Sequence, residues 1–282
     1  MNYALELKNV SKRYGGFTLD NVNLCLERGC IMGLIGENGA GKTTIIKSIL
    51  GLIQPDRGEI TVLGKNNARE LGLMREHLGV VMDESGYPEE MRLRDVALVL
   101  KNIYRTWDAG RFSAYLKQFG LPEGKRVKEL SRGMKMKLSI AASLSHDSQL
   151  LILDEATSGL DPIVRDEMLD IFLEFIQDEN KAVLLSSHIL SDLEKACDYI
   201  TFVHRGRIVF SEPKDELTER YAIVRCSASD FERINPASVV GARKNAFGVE
   251  ALVLKEAARP FSASHRAGIE DIMLYYVKEG GK

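Results

Sequence analysis

The stretch Gly36-Glu37-Asn38-Gly39-Ala40-Gly41-Lys42-Thr43 fits the pattern G-x-x-x-x-G-K-[ST]. It lies between a short apolar run, Ile31–Ile35, and a helical pattern, Thr43–Leu50, closed by Gly51, which suits the left-handed C′ position. Strand, glycine loop and helix in that order constrain the chain more than any other feature. In such a loop the backbone N–H groups converge on phosphate oxygens, and the helix N-terminus adds a favourable dipole. Gly36, Asn38, Gly39, Ala40 and Gly41 are the expected cradle, and Lys42 is expected to reach the β and γ phosphates of ATP. Thr43 offers a hydroxyl to Mg²⁺, and Thr44 is placed to help bind the α phosphate.

A second segment supplies what such a site lacks. Leu150-Leu151-Ile152-Leu153-Asp154-Glu155 is an apolar run ending in two acids, so a buried strand would deliver both to the crevice at its carboxyl end. Asp154 is expected to hold Mg²⁺, directly or through water, and Glu155 to orient and polarise a water for in-line attack on the γ phosphate.

Composition excludes several classes. The chain of 282 residues is 45% hydrophobic and 28% charged, in the range of soluble globular proteins, and its formal net charge of −2 gives no overall pull toward nucleic acid. The four cysteines, Cys25, Cys30, Cys197 and Cys226, are scattered without CxxC spacing, so neither a zinc site nor a disulfide framework is expected and a reducing cytoplasm fits. The N-terminus lacks the pattern of a signal peptide, and the apolar runs are far shorter than the roughly 20 residues that cross a bilayer as a helix. Any membrane role therefore requires a partner.

Periodicity predicts an α/β fold. Tyr3–Val10 and Leu19–Leu26 alternate as half-buried strands around Gly15–Gly16, and the turn Gln54-Pro55-Asp56-Arg57-Gly58 leads into a strand at Glu59–Leu63. From about Arg92 to His146 the pattern turns helical, as in an inserted helical subdomain of about residues 85–146. Leu150–Leu153 and Ala182–Leu185 read as buried parallel strands, with an amphipathic helix, Val164–Ile176, between them. Strands at Tyr221–Cys226 and Val249–Leu254 and a short helix at Ile269–Val277 suggest a small C-terminal domain or extension over 219–282, after a first domain of 1–218.

Further motifs stand in a telling order: Leu130-Ser131-Arg132-Gly133-Met134 precedes Leu150–Glu155, Ser158-Gly159-Leu160-Asp161 follows it, and His188 ends the next apolar run after Ser186-Ser187. Taken locally, Ser131 and Asp161 are also good helix N-caps, the latter with Pro162 at the first helical position; the two readings are compatible. The whole set over about residues 3–218 resembles an ABC-family nucleotide-binding domain: a P-loop ATPase core with an antiparallel β subdomain and an inserted helical subdomain.

The resemblance implies several roles. Ser131 and the backbone of Gly133, within the signature Ser131–Met134, would contact the γ phosphate of ATP held on the P-loop of an opposing chain, and Ser158–Asp161 would touch that partner. His188 would hydrogen-bond the γ phosphate, and Tyr14, after Ser11-Lys12-Arg13, would stack on adenine. With one motif set, the chain would pair with a copy of itself or a paralogue and dock on integral membrane permease subunits, its helical subdomain receiving their coupling helix. It would then be cytoplasmic and peripheral on the inner face of the membrane.

Two departures from that pattern stand out. After the strand Gly79–Met82, where most members carry a glutamine that reaches Mg²⁺ and the water, the position is Asp83, followed by Glu84. A carboxylate is the stronger hard-cation ligand but adds negative charge near the triphosphate, so nucleotide binding is expected to be more strictly Mg²⁺-dependent. In the signature, Arg132 replaces the usual glycine and Met134 the usual glutamine. The segments LSRGMKMKL and YRTWDAGRF are similar to a bacterial exporter branch whose ATPases pair with a separate permease handling drugs, antibiotics or amphipathic peptides.

Overall fold

The apolar runs that do not alternate form the centre of a parallel sheet, since a strand covered on both faces has no polar side to present. The computed structural model describes residues 3–83, 86–246 and 248–279; Glu84 and position 85, where the helical insert is expected to begin, lie outside them. The chain divides between Ser211 and Glu212 into two compact units.

The first unit opens with β1 (Tyr3–Arg13) and β2 (Thr18–Glu27), followed by β3 (Ile31–Ile35), α1 (Lys42–Ile49), β4 (Arg57–Val62), β5 (Lys65–Asn66), α2 (Asn67–Met74) and β6 (Leu78–Val81). Three helices follow, α3 (Leu93–Ile103), α4 (Ala109–Gln118) and α5 (Arg132–Ser143). The chain then runs through β7 (Leu150–Asp154), α6 (Pro162–Phe175), β8 (Ala182–Ser186), α7 (Leu190–Ala196), β9 (Tyr199–His204) and β10 (Arg207–Pro213).

Two sheets result. One has the order β2-β1-β4-β5, with antiparallel pairing throughout. The other has six strands in the order β10-β9-β3-β8-β7-β6, and β9, β3, β8, β7 and β6 pair in parallel. Every residue of β3, β7 and β8 is buried. Because β8 lies between β3 and β7, the loops after all three strands emerge at one edge, the carboxyl end where open α/β sheets bind ligands. One apolar cluster joins the two sheets, with Leu5, Leu24, Met32, Leu34, Ile46 and Ile152 among its members. Truncating a fully buried leucine such as Leu34 to alanine costs roughly 2–5 kcal/mol.

The helical insert is anchored at its loop. Glu76 accepts hydrogen bonds from Thr106 N–H and Oγ1, each at 2.7 Å, and the buried His146 ring stacks on Tyr104 with centroids 3.8 Å apart. Asp108 caps α4 by accepting from Arg111 N–H at 2.8 Å, and Phe112 and Leu116 turn inward. These contacts hold the insert on the sheet and leave the start of α5 at its far end of the sequence to carry Ser131–Met134.

The second unit contains α8 (Lys214–Arg220), β11 (Tyr221–Cys226), α9 (Ala228–Phe231), β12 (Val239–Asn245), β13 (Gly248–Leu254), α10 (Lys255–Ala258), β14 (Ser264–Arg266) and α11 (Ile269–Glu279). Its antiparallel sheet has the order β12-β13-β11-β14 over a small core that includes Val224, Ile234 and Val253. This unit begins before the expected boundary at Thr218 because α8 bonds into it. Arg220 pairs with Glu212 at 2.7 Å, and Arg266 Nε donates to Thr218 O at 3.1 Å.

Candidate functional site

β3 is buried along its whole length and delivers the chain to Gly36 at the sheet's carboxyl edge. The loop then turns so tightly that Gly41 sits at φ 118°, and a Cβ there would meet the Phe17 ring at 3.0 Å. Lys42 begins α1 and is only 6% exposed. Its ammonium folds back over the loop, donating to Gly36 O at 2.7 Å and to Glu37 O at 3.4 Å. A buried ammonium must have partners, and here the loop's own carbonyls serve.

β7 carries the acids. Asp154 is 3% exposed, and its Oδ2 accepts from Thr43 Oγ1 at 3.2 Å, while the buried Oδ1 has no hydrogen-bond partner. Burial pushes the Asp154 carboxyl up, against the Ser186 and Thr43 hydroxyls and the Lys42 ammonium, which favour its charged form. Glu155 has φ 53°, a left-handed conformation that a side chain other than glycine adopts only when its surroundings enforce it. The enforcing contacts are its N–H to Ser186 O at 3.0 Å and Ser158 N–H to its own carbonyl at 3.0 Å. The turn aims the Glu155 carboxylate at two groups: Oε2 is 2.6 Å from His188 Nδ1 and Oε1 is 3.9 Å from Lys42 Nζ.

Lys42, Thr43, Glu155 and His188 border one cleft of about 880 Å³, whereas the buried Asp154 is bonded to Thr43 but is not part of its lining. Gly36, Asn38, Gly39, Gly41, Lys42, Thr43 and Thr44 form its floor, and Asp83, Glu155, Ser158 and His188 also line it. Ala40 is buried behind the loop, where its carbonyl accepts from Gly206 N–H at 2.8 Å. The aromatic ring on the wall is Phe17; Tyr14, expected to stack on adenine, is 42% exposed and stands outside the lining, with the Lys12 ammonium 5.9 Å from its ring. Phe17 lies just before β2, and no sequence signal marks it, because its approach to Gly41 arises only in the folded chain.

Asp83 is on the cleft wall, but its carboxylate accepts from Arg132 Nη2. Two of the three residues that depart from the family pattern, Asp83 and Arg132, are thus joined to each other. Ser131, Gly133 and Met134 do not line this cleft. Ser131 caps α5, accepting from Met134 N–H at 3.3 Å, and Asp161 caps α6, accepting from Val164 N–H at 3.1 Å. The two segments adjoin: a Cβ on Gly133 would lie 3.2 Å from Leu160, and one on Gly159 3.4 Å from the Arg132 guanidinium. No cluster of three or more His, Cys, Asp or Glu that could hold a metal is present among the described residues, and no described helix is long and apolar enough to cross a membrane.

The family described as ABC transporter matches residues 19–158, a span from β2 through Ser158. The bacitracin transport ATP-binding protein BcrA of Bacillus licheniformis is 34% identical over 223 residues, covering 78% of this chain and 73% of that one. The Nod factor export ATP-binding protein I of Rhizobium leguminosarum bv. viciae is 37% identical over 210 residues, covering 72% and 67%. A solved structure of an ATP binding subunit of an ABC transporter superposes with a TM-score of 0.71 at 30% identity, covering 76% of this chain and 91% of that one.

Proposed function

The chain belongs to the ABC transporter family as an ATP-binding, ATP-hydrolysing subunit, and on that premise we propose that it energises a separate membrane permease exporting a drug, antibiotic or amphipathic peptide. Pairing and assembly into a transporter complex are supported by solved ATP-binding cassettes, one a dimer bound to ADP and phosphate and one part of the ABC transporter complex cbiONQ; which partners this chain takes, and whether the second ATPase chain is a copy or a paralogue, belongs to the proposal. The relatives that support an export role are a bacitracin transport protein and a Nod factor export protein.

The observation that carries the catalytic reading is the 2.6 Å approach of His188 to Glu155 beside a buried Lys42. The loop amides and Lys42 receive the β and γ phosphates, and the ammonium exchanges the Gly36 and Glu37 carbonyls for phosphate oxygens. Glu155 accepts a hydrogen bond from a water in line with the γ phosphorus and takes its proton as the new P–O bond forms and the bond to the bridging β–γ oxygen breaks. His188 holds the γ phosphate and, through Nδ1, the Glu155 carboxylate that orients the water.

Thr43 and Asp154 fit Mg²⁺: a hydroxyl and a buried carboxylate 3.2 Å apart, whose second oxygen has the Ser186 hydroxyl nearby but no hydrogen bond in good geometry, form a small hard-oxygen set of the kind that binds this ion together with phosphates. Bound there, the ion would neutralise charge developing on the phosphates. Asp83 is a further candidate, provided Arg132 yields it. Ser131 and Gly133 stand outside this chain's cleft and are assigned to the cleft of the opposing chain. The chain itself acts in the cytoplasm, on the inner face of the membrane through the permease.

Glu155→Gln tests the assignment. It is expected to abolish steady-state hydrolysis while retaining ATP and accumulating an ATP-bound dimer; continued turnover overturns it. Co-purification from membranes, followed by ATPase rates with candidate peptides and drugs, tests the export reading, and isolation without any membrane partner counts against it.

A further inference from the structure

Glu155 and His188 lie on separate segments, and the contact between them needs a frame. Glu155 is held at its backbone by Ser186. His188 occupies the short connector between β8 and α7, and its side chain is 55% exposed. The connector is set by the first turn of α7, where Asp192 N–H donates to Ile189 O at 3.2 Å.

Asp192 is 2% exposed, although it carries a carboxylate. Its Oδ1 faces Arg165 Nη1 of α6 at 3.7 Å, with the Thr157 hydroxyl beside it. Burial pushes its carboxyl up, while Thr157, Arg165, His188 and Lys195 each favour its charged form. Thr157 is on the same loop as Glu155, and Asp192 is one helical turn beyond His188, so one buried carboxylate touches the supports of both catalytic groups. The same α6–α7 seam carries Lys195, whose ammonium donates to Asp166 at 2.5 Å and to Asp170 at 2.9 Å.

The geometry is poor for a purely stabilising pair. At 3.7 Å the charges stand wider than the roughly 2.7–2.9 Å of a charge-assisted hydrogen bond. Thr157 Oγ1, Asp192 Oδ2 and Arg165 Nε are all buried, and none has a partner in good hydrogen-bond geometry. Buried ion pairs are weak evidence for stability, and their attested use is to specify position.

We propose that Asp192 is a positioning residue for hydrolysis: its carboxylate holds the segment carrying His188 against the loop carrying Glu155 and so maintains their 2.6 Å approach. Because Asp161 caps α6, the Arg165–Asp192 contact also ties the helix behind the Ser158–Asp161 loop to the His188 segment. The inference rests on the roles given to Glu155 and His188 above.

The test is single-turnover ATP hydrolysis and ATP affinity of the full chain, with Asp192→Asn made alone and in a His188→Ala background. Asp192→Asn keeps the volume and removes the charge; a small misplacement of this kind is expected to slow hydrolysis about 10- to 100-fold. ATP affinity should stay within about twofold, and Asp192→Glu should recover part of the rate, because binding does not use the His188–Glu155 contact. In the His188→Ala background Asp192→Asn should add less than about twofold, since both losses pass through one contact. An unchanged rate in Asp192→Asn, or an equal loss in both backgrounds, overturns the proposal. If thermal unfolding shows that Asp192→Asn does not fold, Arg165→Gln read in the same two backgrounds carries the same two outcomes. Hydrolysis surviving in Glu155→Gln would instead overturn the site assignment itself, a result distinct from either.

Discussion

His188 Nδ1 stands 2.6 Å from one oxygen of Glu155, and Lys42 Nζ stands 3.9 Å from the other. In the proposed mechanism one carboxylate, the one that orients the attacking water, is thus shared between the imidazole that would hold the γ phosphate and the ammonium that would turn to phosphate. Removing the imidazole should impair chemistry more than binding: His188→Ala is expected to lower the hydrolysis rate about 100-fold. ATP affinity, measured by equilibrium binding, should change little, and a large loss of affinity at an unchanged rate would contradict the role.

Asp154 offers a trade between stability and activity. Burial raises its carboxyl pKa in the folded chain above that of the unfolded chain, so its stabilising contribution belongs to the protonated form. That contribution is complete below the unfolded value and is lost as pH rises through the folded one. At neutral pH the charged group thus opposes folding of the nucleotide-free chain, and Asp154→Asn should raise its Tm, with the gain shrinking as pH falls into the carboxylate range. The same substitution should lower Mg²⁺-dependent hydrolysis by at least about 100-fold. Calorimetry across pH alongside ATPase assays checks both, and a Tm that falls at neutral pH refutes the first.

The Asp83–Arg132 pair makes a prediction about metal dependence. Asp83→Gln is expected to narrow the ratio of ATP affinities with and without Mg²⁺ several-fold, because an amide neither repels the metal-free triphosphate nor attracts the cation as strongly. Arg132→Gly should widen that ratio by freeing the carboxylate. Both side chains are at least half exposed, so neither change should move Tm appreciably. An unchanged ratio in Asp83→Gln would remove Asp83 from the metal's surroundings.

Gly206 is expected to tolerate no side chain. Its φ is +78°, a Cβ there would lie 1.9 Å from Thr18 O, and its N–H and C=O bond Ala40 O and Asp20 N–H at 2.8 Å each. Gly206→Ala should cost more than about 2 kcal/mol, which for a unit of this size lowers Tm by roughly 4–8 °C. Gly124→Ala is the control, since nothing lies within 4 Å of a Cβ there. Equal Tm values for the two variants would refute the expectation.

Much of the site is legible in the chain because it is local. Ile31–Ile35 and Tyr221–Cys226 form strands at the expected bounds. Lys42 and Thr43 follow the glycine loop directly, and Asp154 and Glu155 end a strand whose unbroken apolar run marks it as buried. The periodicity is less informative for β9 and β10, and β12 and β14 pass unnoticed beside the motif-rich segments. Short edge strands carry little apolar pattern, and their pairing comes from neighbours distant in sequence.

What the sequence by itself determines here is chemistry and local form: a phosphate-binding loop, two acids at a strand end, helix caps at Ser131 and Asp161, and an α/β alternation. Tertiary structure alone decides which of these meet. The strand order β3-β8-β7 brings Thr43 to Asp154 and His188 to Glu155. It also places Phe17 rather than Tyr14 on the cleft wall, joins Asp83 to Arg132, and buries Asp192 against Arg165. The physical reason is range: periodicity and capping report interactions within a few residues, whereas these pairings depend on the order in which buried strands lie side by side, which no single segment encodes.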